Sequence, residues 1–220
     1  MSTPFSIANA MTPISLHGRL LHRFRLHTVP DRANSRFREI ATASPWIKTL
    51  PQRIEALMAE NASRRSKLGK LLKLAEEISM AAKPHVACDR GCAHCCSITV
   101  ALSSDEASVI GNRIGVPPEQ VPDGQEETIL ADSFFGIPCP FLENGECSIY
   151  ETRPAACRLH CTLDDDSYFC STEIAPEDSA VPSLDMTPFW LAYAALSLDA
   201  DARLGDIRQF FPAGKASRGR

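Results

Sequence analysis

The sequence of 220 residues lacks the apolar segments that would place it in a membrane or direct it out of the cell. Its longest apolar run, residues 189–198, is about half of the roughly 20 residues that a membrane-spanning helix needs. No hydrophobic signal-peptide core opens the chain. We therefore expect a cytoplasmic protein without a membrane partner.

The sequence also lacks the motifs of several common enzyme classes. It contains no G-x-G-x-x-G, no P-loop and no H-E-x-x-H, so it does not support a dinucleotide, nucleoside triphosphate or zincin mechanism. No dense basic run is interleaved with aromatic residues, which argues against a nucleic-acid partner. Acidic residues are scarce in the first 100 positions, with 7 against 15 Lys or Arg, whereas the rest has 20 against 8. We interpret this asymmetry as attraction between two parts of one fold, and a protein partner and an enzymatic activity both stay open.

Cysteine, by contrast, is abundant, with nine in the chain. An odd number of cysteines in a chain without a secretion signal argues against a disulfide framework. In a reducing compartment, clustered thiolates typically bind a soft metal, such as zinc, copper(I) or iron with sulfide. The first cluster, "CDRGCAHCC", contains Cys88, Cys92, Cys95 and Cys96. If this segment is helical, its spacing predicts that all four thiols share one face.

A second cluster lies about 40 residues further along the chain. It contains Cys139, Cys147, Cys157 and Cys161. The Asn144-Gly145 pair is a strong hairpin-turn signal, and such a hairpin would bring the first two of these cysteines together. Pro154 suits the first turn of a short helix that would place the last two on one face. Cys170 follows beyond an acidic loop and is not expected to be needed for metal binding.

The remaining pattern predicts a mainly α fold with a small β-hairpin, as a compact single metal-stabilised domain with an N-terminal helical extension. Residues 1–45, rich in Ser, Arg and Pro, are expected to be loosely ordered and not to help hold the metal. Residues 46–84 have the apolar spacing of one long helix or two short ones. Residues 85–220 form the predicted cysteine-cluster domain, with a helix capped by Ser103 and a final helix from Thr187.

The order of "C-x3-C-x2-CC", "CPFL", a Cys followed by "IYE" and "RP-x-x-CR" resembles the YkgJ-like cysteine-cluster family, the zinc- or iron-chelating CxxCxxCC domain, over about residues 85–165. The resemblance implies a metal-chelating domain with the candidate ligands Cys88, Cys92, Cys95, Cys96, Cys139, Cys147 and Cys157. Helical spacing adds Cys161 to the candidate set. Additional ligand roles are left open for Cys170, His94 and His160. Flagellin lysine methylases are similar in carrying this type of cluster, so the resemblance also implies a methyl-transfer alternative.

The spacing bears on which metal is bound. A single structural zinc takes four ligands, which would leave several thiols unexplained, and the second cluster lacks zinc-ribbon spacing. The run Cys88-x3-Cys92-x2-Cys95 matches the spacing that holds three corners of a [4Fe–4S] cluster in radical S-adenosylmethionine enzymes, although the chain after it is too short for their barrel. We therefore prefer an iron–sulfur cluster or iron over zinc. The adjacent Cys95 and Cys96 predict more than one metal atom, because neighbouring side chains point in different directions.

These observations lead to three functional hypotheses. The first is a metal-binding protein that holds an iron–sulfur, iron or zinc centre through its cysteine cluster, with a redox role of that centre left open. The second is a structural zinc module that serves a protein interaction. The third is a redox or methyl-transfer enzyme that depends on the cluster.

Overall fold

The computed structural model describes residues 16–89, 91–124, 132–197 and 202–212. Its α-helices are α1 (Leu16–Ala43), α2 (Leu50–Ala59), α3 (Arg64–Ala82), α4 (Ser104–Ile114), α5 (Ala155–Leu159), α6 (Thr187–Ser197) and α7 (Ile207–Phe210). Two antiparallel pairs are formed by strands β1 (Ala101–Ser103) and β4 (Leu204–Asp206), and β2 (Leu142–Glu143) and β3 (Glu146–Cys147). The predicted class, mainly α with a small β-hairpin, is confirmed. In these four ranges, no helix has both the length and the apolar character needed to cross a membrane.

Helix α1 corrects the expectation of a loosely ordered N-terminal segment. Residues 16–43 are helical, while residues 1–15 lie outside the described part of the chain. The helix buries Val29 and Ile40 and pairs its arginines with an acidic loop more than 120 residues away. Because those carboxylates are distant in sequence, local composition gives no sign of them. The domain boundaries at residues 45 and 84 stay a prediction.

The sequence predicts either one long helix or two short ones in the region that follows α1. The structure contains two helices there, α2 and α3. Ser63 begins α3 by accepting a hydrogen bond from the Ser66 backbone N–H, as N-cap serines commonly do. Its apolar face packs against α2, α5 and α6 in the first hydrophobic cluster, which includes Leu68, Leu71, Leu74, Ile78, Phe189 and Leu196. Pro84 lies in a 3₁₀ turn just after α3, as predicted from the residue's inability to continue a helix.

A second hydrophobic cluster is built around β1, β4 and α4. It includes Val100, Leu102, Ile110, Phe141, Ile207, Phe210 and Phe211. The sequence predicts a short extended run near β1 but not its partner, and the register pairs Leu102 with Gly205. Cys88 and Cys161 pack with the first cluster, whereas Cys96, Cys139, Cys147 and Cys157 pack with the second. The cysteine-rich segments therefore lie between the two hydrophobic clusters.

Candidate metal centre

The first cysteine segment is not an α-helix, so the predicted single helical face for its four thiols is wrong. Gly91 has a φ of 93°, a left-handed conformation that interrupts a right-handed helix and that glycine adopts without steric cost. Beyond it, a 3₁₀ helix covers His94–Ser97 and contains Cys95 and Cys96. The segment therefore turns at Gly91 and does not continue as one helix.

The second cysteine segment is positioned by a hairpin and a short helix, as predicted. Asn144 and Gly145 have positive φ values of 52° and 80°, and the register pairs Leu142 with Cys147. These angles suit the tight two-residue hairpin turns that favour Asn-Gly. Pro154 precedes α5, which carries Cys157. Helix α5 ends at Leu159, so Cys161 lies just beyond the helix and not on its last turn.

Two small neighbouring cavities collect the thiols. The cavity beside the hairpin, about 30 Å³ in volume and called here the hairpin-side cavity, is lined by Cys92, Cys95, Cys96, Cys139, Cys147 and Cys157. The cavity beside α3, about 50 Å³ and called the α3-side cavity, is lined by Cys88, Cys92, Cys95, Cys157 and Cys161. All eight candidate ligands therefore line one cavity or both. Three of them are common to both: Cys92, Cys95 and Cys157.

The three residues whose roles were left open are placed differently. His160 lines the α3-side cavity, whereas His94 is exposed and lines neither cavity. Cys170 also lines neither cavity, but its thiol is electrostatically coupled to Cys88, Cys92 and Cys95. Burial, followed by these neighbouring thiols, raises the pKa of Cys170 to about 12. The His94 backbone contacts the Cys92 thiol, whereas its exposed side chain lines neither cavity.

Burial dominates the acid–base properties of most of the thiols. It raises the pKa of Cys139 to about 11 and that of Cys161 to about 12, and it raises the pKa of Cys157 well above the ordinary thiol value. For Cys95, interaction with the Cys96 thiol is the largest cause of a raised pKa, and burial comes second. In the absence of metal these thiols are held protonated, because an apolar environment disfavours the thiolate anion.

Arg153 supplies a positive charge at the centre. It lines both thiol cavities and acts to lower the pKa of several surrounding cysteines, opposing the effect of burial. Its guanidinium carbon lies 4.1 Å from the centre of the Tyr150 ring, and its Nη2 contacts Ser79 Oγ at 3.3 Å. The Nε is buried and makes no hydrogen bond within the described residues. The geometry thus places Arg153 beside the thiols.

Arg208, which was not singled out from the sequence, ties the two cysteine segments together. Its guanidinium donates to the carbonyls of Cys96, Ile137 and Pro138 and forms a buried ion pair with Asp206 at 2.8 Å. The Cys139 backbone N–H also donates to the Cys96 carbonyl, at 2.6 Å. The local signal was the D-x-x-Q spacing of Asp206, a helix-capping pattern that marks the start of α7. That signal indicates a helix start but not a contact with the carbonyls of Pro138 and Cys96, about 70 to 110 residues earlier.

Glu106 is a second positioning residue. The spacing of Ser103 and Glu106 is that of a capping box, of which the structure contains only the part made by Ser103. Ser103 does cap α4, accepting from the Glu106 backbone N–H at 3.2 Å. The Glu106 side chain instead accepts hydrogen bonds from the Ala155 N–H at 2.7 Å and the Tyr193 hydroxyl at 2.6 Å. This buried carboxyl thereby connects α4 and α6 to the start of α5, the helix that carries Cys157.

The donor set fits a soft metal, although the thiols are not arranged around one ion. Within the four described ranges, no three His, Cys, Asp or Glu side chains converge at the spacing needed to hold a single ion. All nine cysteines are free thiols, and the position of each sulfur depends on a single side-chain dihedral angle. The buried Arg153 Nε, with no partner of its own, provides a positive charge for an anionic thiolate centre. Cysteine sulfurs around a small cavity are suitable ligands for zinc and for iron with sulfide.

Comparison with known families identifies this cysteine-rich region. Residues 87–174 match the family model CxxCxxCC, described as "Putative zinc- or iron-chelating domain". This part of the chain is a CxxCxxCC domain. The match confirms the resemblance found in the sequence and assigns metal chelation to the domain. It also extends past Cys161 to include Cys170, so the CxxCxxCC domain contains all nine cysteines. No curated protein matches the chain, and neither does any solved structure.

Proposed function

We propose that the CxxCxxCC domain binds more than one metal atom, through thiolates of both cysteine segments, and that the centre is redox-active iron or an iron–sulfur cluster. The observation that carries this proposal is the pair of adjacent cavities sharing Cys92, Cys95 and Cys157. Metals in neighbouring positions could use these three residues as common ligands. The remaining thiols would each serve one side of the centre.

The adjacent cysteines support the same proposal. Cys95 lines both cavities, whereas Cys96 lines the hairpin-side cavity and not the α3-side one. Two neighbouring thiolates that face different spaces are suited to different metal atoms. A single structural zinc would use about four of the eight candidate thiols and leave the others without a role.

The protein residues have distinct tasks in this proposal. Arg153 offsets the negative charge of the thiolates, and the Thr162 backbone N–H donates to Cys88 Sγ at 3.4 Å. The surrounding apolar clusters bury the Cys139 and Cys161 side chains and partly bury the others. A bound iron or iron–sulfur centre would supply electron transfer, whereas zinc would supply structural support. Zinc remains the alternative metal.

Metal and sulfide analysis of anaerobically purified protein tests the proposal. We expect more than one metal atom per chain, with inorganic sulfide and broad visible absorption if the centre contains iron and sulfide. Zinc would give a colourless protein. A ratio of one metal per fully loaded chain, retained by Cys96→Ser, would exclude the multinuclear centre.

Variants specific to each cavity make the test sharper. Cys139→Ser affects only the hairpin-side cavity and Cys161→Ser only the α3-side cavity, so each should lose about half of the metal. Cys157→Ser removes a shared thiol and should lose nearly all of it. Cys170→Ser is the matched control, because this thiol is buried nearby but lines neither cavity. Equal loss of metal in all four variants would argue against a centre with separate hairpin-side and α3-side parts.

An enzymatic role of the centre is favoured by one further observation. A cleft of about 520 Å³ opens onto Cys95 and Cys157 and is lined by His160, Met186 and Trp190. Its volume is within the range of small-ligand sites, which supports a cluster-dependent redox or methyl-transfer enzyme over a structural zinc module for a protein partner. Anaerobic incubation of the reduced protein with S-adenosylmethionine tests the methyl-transfer version. A lysine-containing peptide is included as the methyl acceptor, and no consumption of S-adenosylmethionine in its presence would argue against this version.

A further inference from the structure

A third cavity, distinct from the two thiol cavities, lies between α3, α4 and the start of α5. Its volume is about 320 Å³, at the lower end of the range for small-ligand sites. Its charged lining residues are Lys73, Glu76, Glu106, Arg113, Arg153 and Arg158. Arg153 also borders the thiols, but Lys73 and Arg113 line neither thiol cavity. We call this space the basic cavity.

The positive charges in the basic cavity outnumber the acidic groups of its lining. Among the described residues, none of its four cations forms an ion pair with a carboxylate. Glu106 is buried, and both of its oxygens already accept hydrogen bonds from Ala155 and Tyr193. Glu76 is the remaining acid in the lining, and it is exposed. The basic cavity therefore carries an excess of positive charge.

Backbone carbonyls hold Arg158, one of the four cations, in place. Arg158 donates to the carbonyls of Arg153 at 3.0 Å and Glu151 at 2.5 Å. Glu76 and Glu151 attract it electrostatically, whereas Arg153 and Arg113 repel it. Gathering like charges around one cavity is unfavourable unless another group offsets them. A fold that fixes guanidinium groups in this way is suited to a bound anion.

We infer that the basic cavity binds a small oxyanion, and that its preferred ligand group is phosphate. Guanidinium groups offer paired N–H donors that match the oxygens of a phosphate, and a lysine adds a mobile point charge. Lys73 approaches from α3, Arg113 from α4, and Arg158 from α5. A phosphate bound by these side chains would contact α3, α4 and α5, and α5 is the helix that carries Cys157. This site does not depend on the identity of the metal.

Calorimetric titration with inorganic phosphate tests this inference, using the full-length protein in a phosphate-free buffer at constant ionic strength. We expect saturable binding at one site, and weaker binding of acetate. Arg113→Gln and Lys73→Gln should each weaken phosphate binding about threefold to tenfold, the effect of losing one partly exposed charge contact. Both side chains are exposed, so these variants should keep the wild-type circular dichroism and metal content.

Arg65→Gln is the matched control, because Arg65 is an exposed cation on α3 that does not line the basic cavity. It should bind phosphate as the wild type does. Absence of saturable heat with phosphate would overturn the inference. Equal weakening in Arg65→Gln and Arg113→Gln would also overturn it, since the binding would then reflect diffuse surface charge. Because metal content is measured separately in each variant, a failed phosphate site and a failed metal centre give different results.

Discussion

Replacing Glu106 with alanine should destabilise the protein strongly, because this buried carboxyl joins three elements around the start of α5. Its Oε1 accepts from the Ala155 N–H at 2.7 Å, and its Oε2 accepts from the Tyr193 hydroxyl at 2.6 Å. Glu106, Ala155 and Tyr193 are all buried, so water cannot readily replace the lost acceptor. The N-terminal end of the helix that carries Cys157 would lose a contact that positions it.

The magnitude follows from the two donors that lose their partner. A buried donor without an acceptor costs about 1–3 kcal/mol, and the removed side chain also leaves a cavity. We therefore expect Glu106→Ala to lower the free energy of unfolding by about 3–5 kcal/mol. Glu106→Gln keeps an acceptor oxygen for the Ala155 N–H and should cost about 1 kcal/mol.

The glutamine variant also predicts a pH dependence. Burial raises the pKa of Glu106, while the hydrogen bonds from Tyr193 and Ala155 partly oppose that rise. Because the pKa is higher in the folded state, the contribution of this group to stability is complete below the unfolded value of 4.5. That contribution is lost as the pH rises through the folded-state pKa. Glutamine does not ionise, so the advantage of the wild type over Glu106→Gln should decrease between about pH 4 and pH 8.

Urea unfolding of the metal-free protein, followed by circular dichroism, measures these differences. Glu55→Ala is a suitable control, because Glu55 is an exposed carboxylate on α2, and this variant should change stability by less than about 0.5 kcal/mol. A loss below about 1 kcal/mol for Glu106→Ala would refute the assigned role of the carboxyl. A wild-type advantage over Glu106→Gln that grows with pH would refute the direction of its pKa shift.

Two further predictions concern α1 and the thiols. Arg32→Gln should lower the free energy of unfolding by about 2 kcal/mol and speed metal release, because it leaves the buried Asp164 carboxylate without its ion pair in the loop between Cys161 and Cys170. Arg38→Gln is the control, because Arg38 is an exposed cation on the same helix. Equal stability and equal metal release in the two variants would contradict this role of Arg32. That outcome would support the sequence-based expectation that the N-terminal segment does not help hold the metal. The metal-free protein should lose thermal stability as the pH rises above the unfolded thiol value of 9.0, because burial raises the pKa of Cys139 to about 11 and of Cys161 to about 12. A melting temperature that stays constant from about pH 8 to pH 10.5, in metal-free protein, would contradict this.

The sequence by itself determined those features that depend on neighbouring residues. Asn144 and Gly145 accept positive φ angles, so their position identified the hairpin, and Ser103 at the start of α4 identified that helix. The eight candidate ligands could be selected because thiols clustered at this spacing typically bind a soft metal. The CxxCxxCC match covers all of them. Their roles as ligands stay a prediction.

The tertiary structure alone decided how these local features are combined. It pairs β1 with β4, directs Glu106 away from its own helix toward Ala155, and joins Cys96 to Cys139 directly and to Pro138 through Arg208. It also decides which cysteines are common to the two cavities and which belong to only one. Backbone dihedral preferences act over a few residues, so they can be recognised in the sequence. Contacts across about 50 to 140 residues instead depend on which surfaces the folded chain buries against one another, and buried polar groups then bond to whatever partners that packing brings near.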